Sequence, residues 1–475
     1  MASEKPDAVV VGSGPNGLAA AITLAREGLS VLVLEGDEQV GGGLRSAELT
    51  LPGFIHDICA CVYALGVASP FFRSLDLGSH GLSWVRSPAA LAHPLDDGSA
   101  VLLRQGMEGL KEELGVDGEA LGRLMRPILN DRERLMEQLL GPPRIPRHPI
   151  LLARFGLRAI LPAAALARSH LRGRRAQALF AGLAAHSVLP LERPGSAAVG
   201  LILGAAALQG GWPLAKGGSQ ALALALKRCL ESLGGEIRTG CWVRSPREIP
   251  GAKALLLDLT PRNLAKLGRG LFPTGYVQRL EAHGLGPGAF KMDWALSEPI
   301  PWRAKECLQA ATVHVGGTLE EIAESERSVW QGKAPQRPFV LLVQPTLFDP
   351  GRAPQGMHVA WAYCHVPNGS SQDMAHRIES QIERFAPGFR EIILARSVWT
   401  PKRLEGHNPN YVGGDFLGGS QDPRRLFLRP LGRWVPYRTP LKGCYICSSS
   451  MPPGGGVHGM CGYNAASLAL KDLFR

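Results

Sequence analysis

The chain opens on apolar runs separated by glycine-rich breaks. Ala8 to Val11 is short and wholly apolar, the pattern of a strand buried on both faces. After a glycine turn, apolar residues recur at helical spacing until about Gly28. A second apolar run, Val31 to Leu34, ends on Glu35. Strand, helix and strand in that order predict one parallel βαβ unit. The stretch after Ser46 is irregular, and Leu82 to Val101 alternates β-like pieces with turn residues. From Met107 to Leu140 the residues Leu110, Leu114, Leu121, Leu124, Ile128 and Leu135 keep helical spacing, which Gly141-Pro142-Pro143 stops. Ala197 to Trp212 is nearly all apolar, but Gly200, Gly204, Gln209, Gly210 and Gly211 interrupt it, so it reads as a buried helix. A helix over Ala221 to Leu233 follows, then strands over Glu236 to Arg244 and Ala254 to Leu259. Phe290–Leu296, Ala311–Val315, Phe339–Gln344 and His358–His365 predict strands of one sheet. His376 to Phe385 predicts a helix with Ile378, Ile382 and Phe385 on one face. Near the end, Tyr445 to Ser448 reads as a strand, and a glycine-rich turn leads to a helix starting near Gly459.

Length and charge narrow the picture. A chain of 475 residues is long enough for two or three domains, and 45% hydrophobic with 20% charged residues is ordinary for a soluble protein. The net charge of +11 is uneven: no Asp or Glu occurs from Gln138 to Leu191. Arg144, Arg147, Arg154, Arg158, Arg168, Arg172, Arg174 and Arg175 lie in that span. Within it, residues 142–175 mix arginines with Ile150, Leu151, Leu152, Phe155, Leu157 and Ile160, the composition of an element that lies on an anionic membrane surface. Nucleic acid is disfavoured, since Phe155 alone is available there to stack on bases. The first residues, MASEKPDA, resemble neither a secretory signal nor a transit peptide, and nine scattered cysteines suit reduced thiols. A cytoplasmic protein with a peripheral membrane contact is expected. Cys444 and Cys447 have redox-motif spacing but fall in a strand-like run, no metal site is expected, and oligomeric state is left open.

The chemistry starts at Gly12-Ser13-Gly14-Pro15-Asn16-Gly17, which sits between the first strand and the helix. Gly12 allows a tight turn, Gly14 lets a pyrophosphate approach the backbone, and Gly17 lets helix and strand pack closely. Free N–H groups and the positive end of the helix dipole attract phosphate. Glu35 can accept hydrogen bonds from an adenosine ribose and would repel a 2′-phosphate, which favours FAD or NAD over NADP. Gly217 and Gly218 open a second helix N-terminus fit to meet an anion or cofactor. The late strand–glycine–helix device suits a flavin pyrimidine.

Several pieces together resemble the phytoene desaturase-related FAD oxidoreductases of the flavin amine-oxidase superfamily: VVVGSGPNGLAAA, LEGDEQVGGGLRS, GGWPLAKGGSQAL, GPGAFKMDWALSEPIPW, HVAWAYCHVP, NPNYVGGD and SSSMPPGGGVHGMCGYNAA. The resemblance implies an α/β fold with a discontinuous, glutathione reductase-like Rossmann FAD-binding domain in residues 1–80, 205–265 and 405–475. Residues 81–204 and 266–404 would form a substrate domain of mixed β-sheet and helices. Implied FAD contacts are Gly12, Ser13, Gly14, Pro15, Asn16, Gly17, Glu35, Gly36, Gly42, Gly43, Leu44 and Arg45. Val243, on a middle strand, would meet adenine, and Gly456, Val457, Gly459 and Met460 would lie along the flavin ring. The β-meander usual in such domains is nearly absent between Val243 and Ala254. The terminal motif also differs from that of carotenoid desaturases proper, which leaves the substrate open. His458, His56, Asp57 and Tyr63 are the candidate catalytic side chains, His458 foremost. The implied activity is hydride removal from an apolar, isoprenoid or lipid-like substrate to flavin N5, with oxygen or a quinone as diffusible acceptor. A redox-neutral double-bond isomerase and a non-catalytic lipid carrier are the alternatives.

Overall fold

Five short runs build the first sheet of this computed structural model, which describes residues 5–422 and 435–475. Its strands lie in the order Cys444–Ile446, Ala254–Leu257, Ala8–Val11, Val31–Leu34 and Glu236–Arg238, all parallel. Parallel strands are buried on both faces, which is why the inner runs are continuously apolar. Helix Pro15–Ala25 is buried from Asn16 to Ala25 and packs between helices Ser219–Ser232 and Met460–Leu473.

The edge strand is shorter than its sequence pattern suggests. It stops at Arg238, the chain turns at Gly240, and Cys241 N–H donates to the Glu35 carbonyl at 2.7 Å. Val243 therefore sits in a segment folded over the sheet's end and not on a strand. In place of a β-meander there is one turn over Pro246–Glu248, capped by Ser245.

The second sheet has seven strands: Ile393–Trp399, Gly288–Leu296, His358–Val366, Val340–Val343, Ala310–Val315, Ala89–Pro94 and Ala100–Arg104. Neighbours are antiparallel except Ala310–Val315 with Ala89–Pro94. The four strands expected of one sheet are all in it. Ile393–Trp399 joins them as an edge strand, half-exposed and carrying Arg396, so its apolar signal is weak. One face packs Phe290, Met292 and Trp294 against Ile378, Ile382 and Phe385 of helix Ala375–Phe385.

A helical layer adjoins this sheet. The long periodic stretch after Met107 divides into Met107–Leu114, Val116–Asn130 and Arg132–Leu139. Helices Pro149–Ala159, Ala163–His170, Arg174–Ala185 and Ser196–Gly210 follow, the last largely buried as its composition predicts. Among the described residues no single helix is long and apolar enough to cross a membrane. Pro149–Ala159 with Ala163–His170, bent by 90°, passes only as a pair. Every strand of the parallel sheet comes from residues 1–80, 205–265 and 405–475, and every strand of the mixed sheet from 81–204 and 266–404. The architecture is α/β, a Rossmann-like sheet joined to a mixed sheet with helices.

Candidate functional site

A cavity of about 740 Å³ runs between the two sheets, within the usual range for small-molecule sites. One end is the glycine turn. Gly12 has a φ of +100°, which only glycine adopts readily. A Cβ on Gly17 would lie 2.0 Å from the Gly12 carbonyl oxygen, so the helix can start this close to the strand only without a side chain there. Gly12, Ser13, Gly14, Pro15 and Asn16 line the cavity. Asn16 Oδ1 is buried there with no hydrogen-bond partner.

Glu35, Gly36, Gly42, Gly43 and Arg45 continue the wall. Glu35 Oε2 accepts from Ser13 N–H and Oγ–H at 2.8 and 2.5 Å, and Oε1 accepts from Asp37 N–H at 3.0 Å. Arg45 is ion-paired to Asp37, and its Nε–H donates to the Gly42 carbonyl. Val243 and Trp242 reach the same end, with Trp242 packed over Gly36. Gly456 and Val457 line the cavity from the late turn, and Tyr63 lines it too.

Other expected residues lie behind the wall. Gly17 supports the turn by donating its N–H to Asp258 at 3.0 Å, and Leu44 is core. Gly459 and Met460 begin the last helix and are buried. His458 is not a lining residue: its Nδ1 accepts from Met460 N–H at 3.0 Å, and burial lowers its imidazole to about 4. It shapes the turn.

His56 and Asp57 also face away from the cavity, into a buried polar network. Thr50 Oγ1 is 2.8 Å from His56 Nε2, and burial lowers this imidazole to about 3. Asp57 pairs with the wholly buried Arg352 at 2.6 Å and accepts from Ser219 N–H and Ser46 Oγ–H, both at 2.7 Å. Burial alone would raise its carboxyl, but Arg352 and these hydrogen bonds overcome that and hold it at about 2. Arg352 also pairs with Asp349, which accepts from Gly217 N–H at 2.7 Å. The helix N-terminus at Gly217 and Gly218 thus already faces an anion, supplied by the protein's own carboxylates.

Several lining residues were given no individual role by the sequence. Asp258 follows the strand Ala254–Leu257 and sits beneath the glycine turn, and burial raises its carboxyl to about 7. A carboxyl raised this far is only partly ionised near neutrality and repels a phosphate less than a fully ionised one would. Asn408, Asn410 and Tyr411 approach from NPNYVGGD.

The mixed sheet provides the cavity's floor, and its register shows how. Residues directly paired across neighbouring strands share a face. Lys291, Tyr363, Leu341 and His314 form one such row, and Asp293, Trp361, Val343 and Thr312 the next. Lys291 Nζ–H donates to Asp293 at 2.5 Å, and the ammonium lies 5.7 Å from the rings of Trp361 and Trp399. Burial lowers the Lys291 ammonium and raises the Asp293 carboxyl to about 6. A lysine and an aspartate within FKMDW, on alternate positions of an otherwise apolar strand, are the sequence trace of this inward face.

Comparison with known proteins agrees with this geometry. The NAD(P)-binding Rossmann-like domain family matches residues 10–76. The chain is 25% identical to pyridine nucleotide-disulfide oxidoreductase domain-containing protein 2 of Rattus norvegicus, over 98% of this chain and 94% of that one. It is 24% identical to one of the polypeptides of limonene dehydrogenase from Castellaniella defragrans, over 98% and 95%. It is 31% identical to hydroxyneurosporene desaturase of Cereibacter sphaeroides, over 50% and 49%. Putrescine oxidase, solved with putrescine bound, shares the fold with a TM-score of 0.62 at 16% identity, covering 99% of both chains. The chain is a Rossmann-type oxidoreductase, similar over nearly its whole length to limonene dehydrogenase and over half of it to hydroxyneurosporene desaturase, with the fold of putrescine oxidase.

Proposed function

We propose that this chain binds FAD and removes a hydride from an apolar, isoprenoid- or lipid-like substrate. The observation that supports this most is one continuous cavity with a glycine cradle at one end and an apolar chamber at the other. The cradle suits the ADP half: the backbone of Gly12 and Gly14 lines it, Asn16 Oδ1 lacks a partner, and the Glu35 carboxylate lines the wall. Residues 1–80, 205–265 and 405–475 would form the FAD domain, with Gly456 and Val457 at the flavin ring.

When bound, FAD would supply the hydride-accepting centre. The protein's part is to hold the substrate in a dry slot at near-contact distance. Val62, Val199, Ile202, Leu203 and Trp212 give that slot its apolar wall. Lys291 holds a proton at Nζ toward Asp293 on the floor. Oxygen or a quinone would take the electrons onward. Limonene dehydrogenase and hydroxyneurosporene desaturase among the relatives support an apolar substrate.

We also propose that the acid-free helices rest on an anionic membrane surface while the body of the protein stays in the cytoplasm. Ile150, Leu157 and Ile160 are 69%, 74% and 61% exposed, beside basic residues. Their outward position is hard to explain by the core.

The test is direct. The purified protein should be yellow and release FAD on denaturation. A candidate terpene added without oxygen should bleach the flavin band if net oxidation occurs. A colourless protein that cannot be reconstituted with FAD would refute the proposal, and turnover without bleaching would favour the isomerase.

A further inference from the structure

One corner of the cavity is polar without being charged. Thr312 and Ser187 line the cavity, each residue is 1% exposed, and neither hydroxyl has a hydrogen-bond partner. Thr312 and His314 share a face of strand Ala310–Val315, two residues apart. His314 Nε2 lies 3.0 Å from Nε2 of His186, which precedes Ser187 and also lines the cavity. His314 is buried and His186 half-buried against the cavity; desolvation lowers both imidazoles, His186 to about 3, so the pair is neutral at physiological pH. One Nε2 therefore carries the proton that the other accepts. Around this corner the wall is apolar: Val199, Ile202, Leu203, Trp212 and Leu341.

The corner is separate from the charged edge of the floor. Two strands intervene between the strands bearing Lys291 and Thr312, a distance of roughly 14 Å at ordinary strand spacing. Buried hydroxyls are normally satisfied, and two unsatisfied ones lining one cavity mark a place where a ligand supplies the partner. A pure hydrocarbon filling the chamber leaves both hydroxyls without a partner, which a ligand hydroxyl can supply.

We propose that this corner, formed by Thr312, Ser187 and the His186–His314 pair, seats an alcohol oxygen of the substrate. The substrate is then an oxygenated isoprenoid and not a hydrocarbon, an assignment that rests on the apolar-substrate reading above and narrows it. Discrimination of this kind is strong because the analogue lacking oxygen leaves buried groups unpaired.

The experiment compares farnesol with farnesene, the hydrocarbon of the same carbon skeleton. Their binding to the purified holoprotein is followed by quenching of tryptophan fluorescence, Trp212 and Trp361 being in the wall. Farnesol should bind about tenfold more tightly, the worth of one well-made hydrogen bond. Thr312→Val, nearly isosteric, should cut that preference about threefold. Thr312→Val combined with Ser187→Ala should bring it within about twofold of parity. FAD content and melting temperature check that both variants fold, and the single variant suffices if the double one does not. Equal affinity of the native protein for the two ligands overturns the oxygen seat and leaves the apolar-substrate reading intact. Absence of binding by both overturns that reading, and the oxygen seat with it.

Discussion

Replacing Asp57 with Asn removes one charge from the buried network that ties the glycine-rich unit to the mixed-sheet half of the chain. Arg352 is wholly buried and held by three groups: Asp57 at 2.6 Å, Asp349 at 2.9 Å and the Ala215 carbonyl at 2.8 Å. The variant leaves the guanidinium with a single carboxylate, and breaking a buried pair from one side costs about 3–5 kcal/mol. Proton linkage gives a second figure. The Asp57 carboxyl falls from 3.8 to about 2 in the folded protein, a shift worth about 2.5 kcal/mol. Because the folded value is the lower one, this stability is present in full above the unfolded value near 4. It is lost as the pH falls toward 2. Asp57→Asn should therefore lower the free energy of urea unfolding by about 3 kcal/mol at pH 7. The gap between native and variant should narrow as the pH drops from about 4 toward 2. Tryptophan fluorescence during urea titration at stepped pH values measures both. A variant within about 0.5 kcal/mol of the native protein at pH 7, or a gap that ignores pH, would refute the network's role. Unchanged stability with lost turnover would return Asp57 to the catalytic role its sequence position suggested.

Gly17→Ala places a Cβ 2.0 Å from the Gly12 carbonyl, so turn and helix must separate. The expected cost is about 1–3 kcal/mol, with FAD lost during purification, read from the flavin-to-protein absorbance ratio. Glu35→Ala removes the carboxylate that fixes Ser13 and faces the proposed ribose, so FAD affinity should fall about tenfold. Retained FAD after dialysis would count against it. Liposome flotation on anionic vesicles should require Arg154, Arg172 and Arg174, whereas Arg158 and Arg175 already donate to the protein's own Leu124 and Glu113. Flotation unaffected by the Arg154, Arg172 and Arg174 changes to Gln would remove the membrane contact.

The βαβ unit from Ala8 to Glu35 is legible in the sequence because every interaction that defines it is local. Two apolar runs, a helical period and glycines at fixed spacing are read within one stretch of chain. The strands of the mixed sheet and the helix Ala375–Phe385 are legible for the same reason, since a period of two or of 3.6 residues records which face is buried. The half-exposed edge strand Ile393–Trp399 has weak alternation and left little trace. Side chains whose meaning depends on a distant partner were settled only by the tertiary structure. His56, Asp57 and His458 stand close in sequence to the glycine motifs, yet burial and hydrogen bonds direct them into packing. Gly217 and Gly218 form the anion-ready helix end expected of them, but Asp57 and Asp349 fill it. Asp258, Lys291 and Thr312 reach the cavity through strand register, and His186 through its hydrogen bond to His314. Periodicity says which side of an element is buried, while the folded chain alone decides whether that side meets core, carboxylate or cavity.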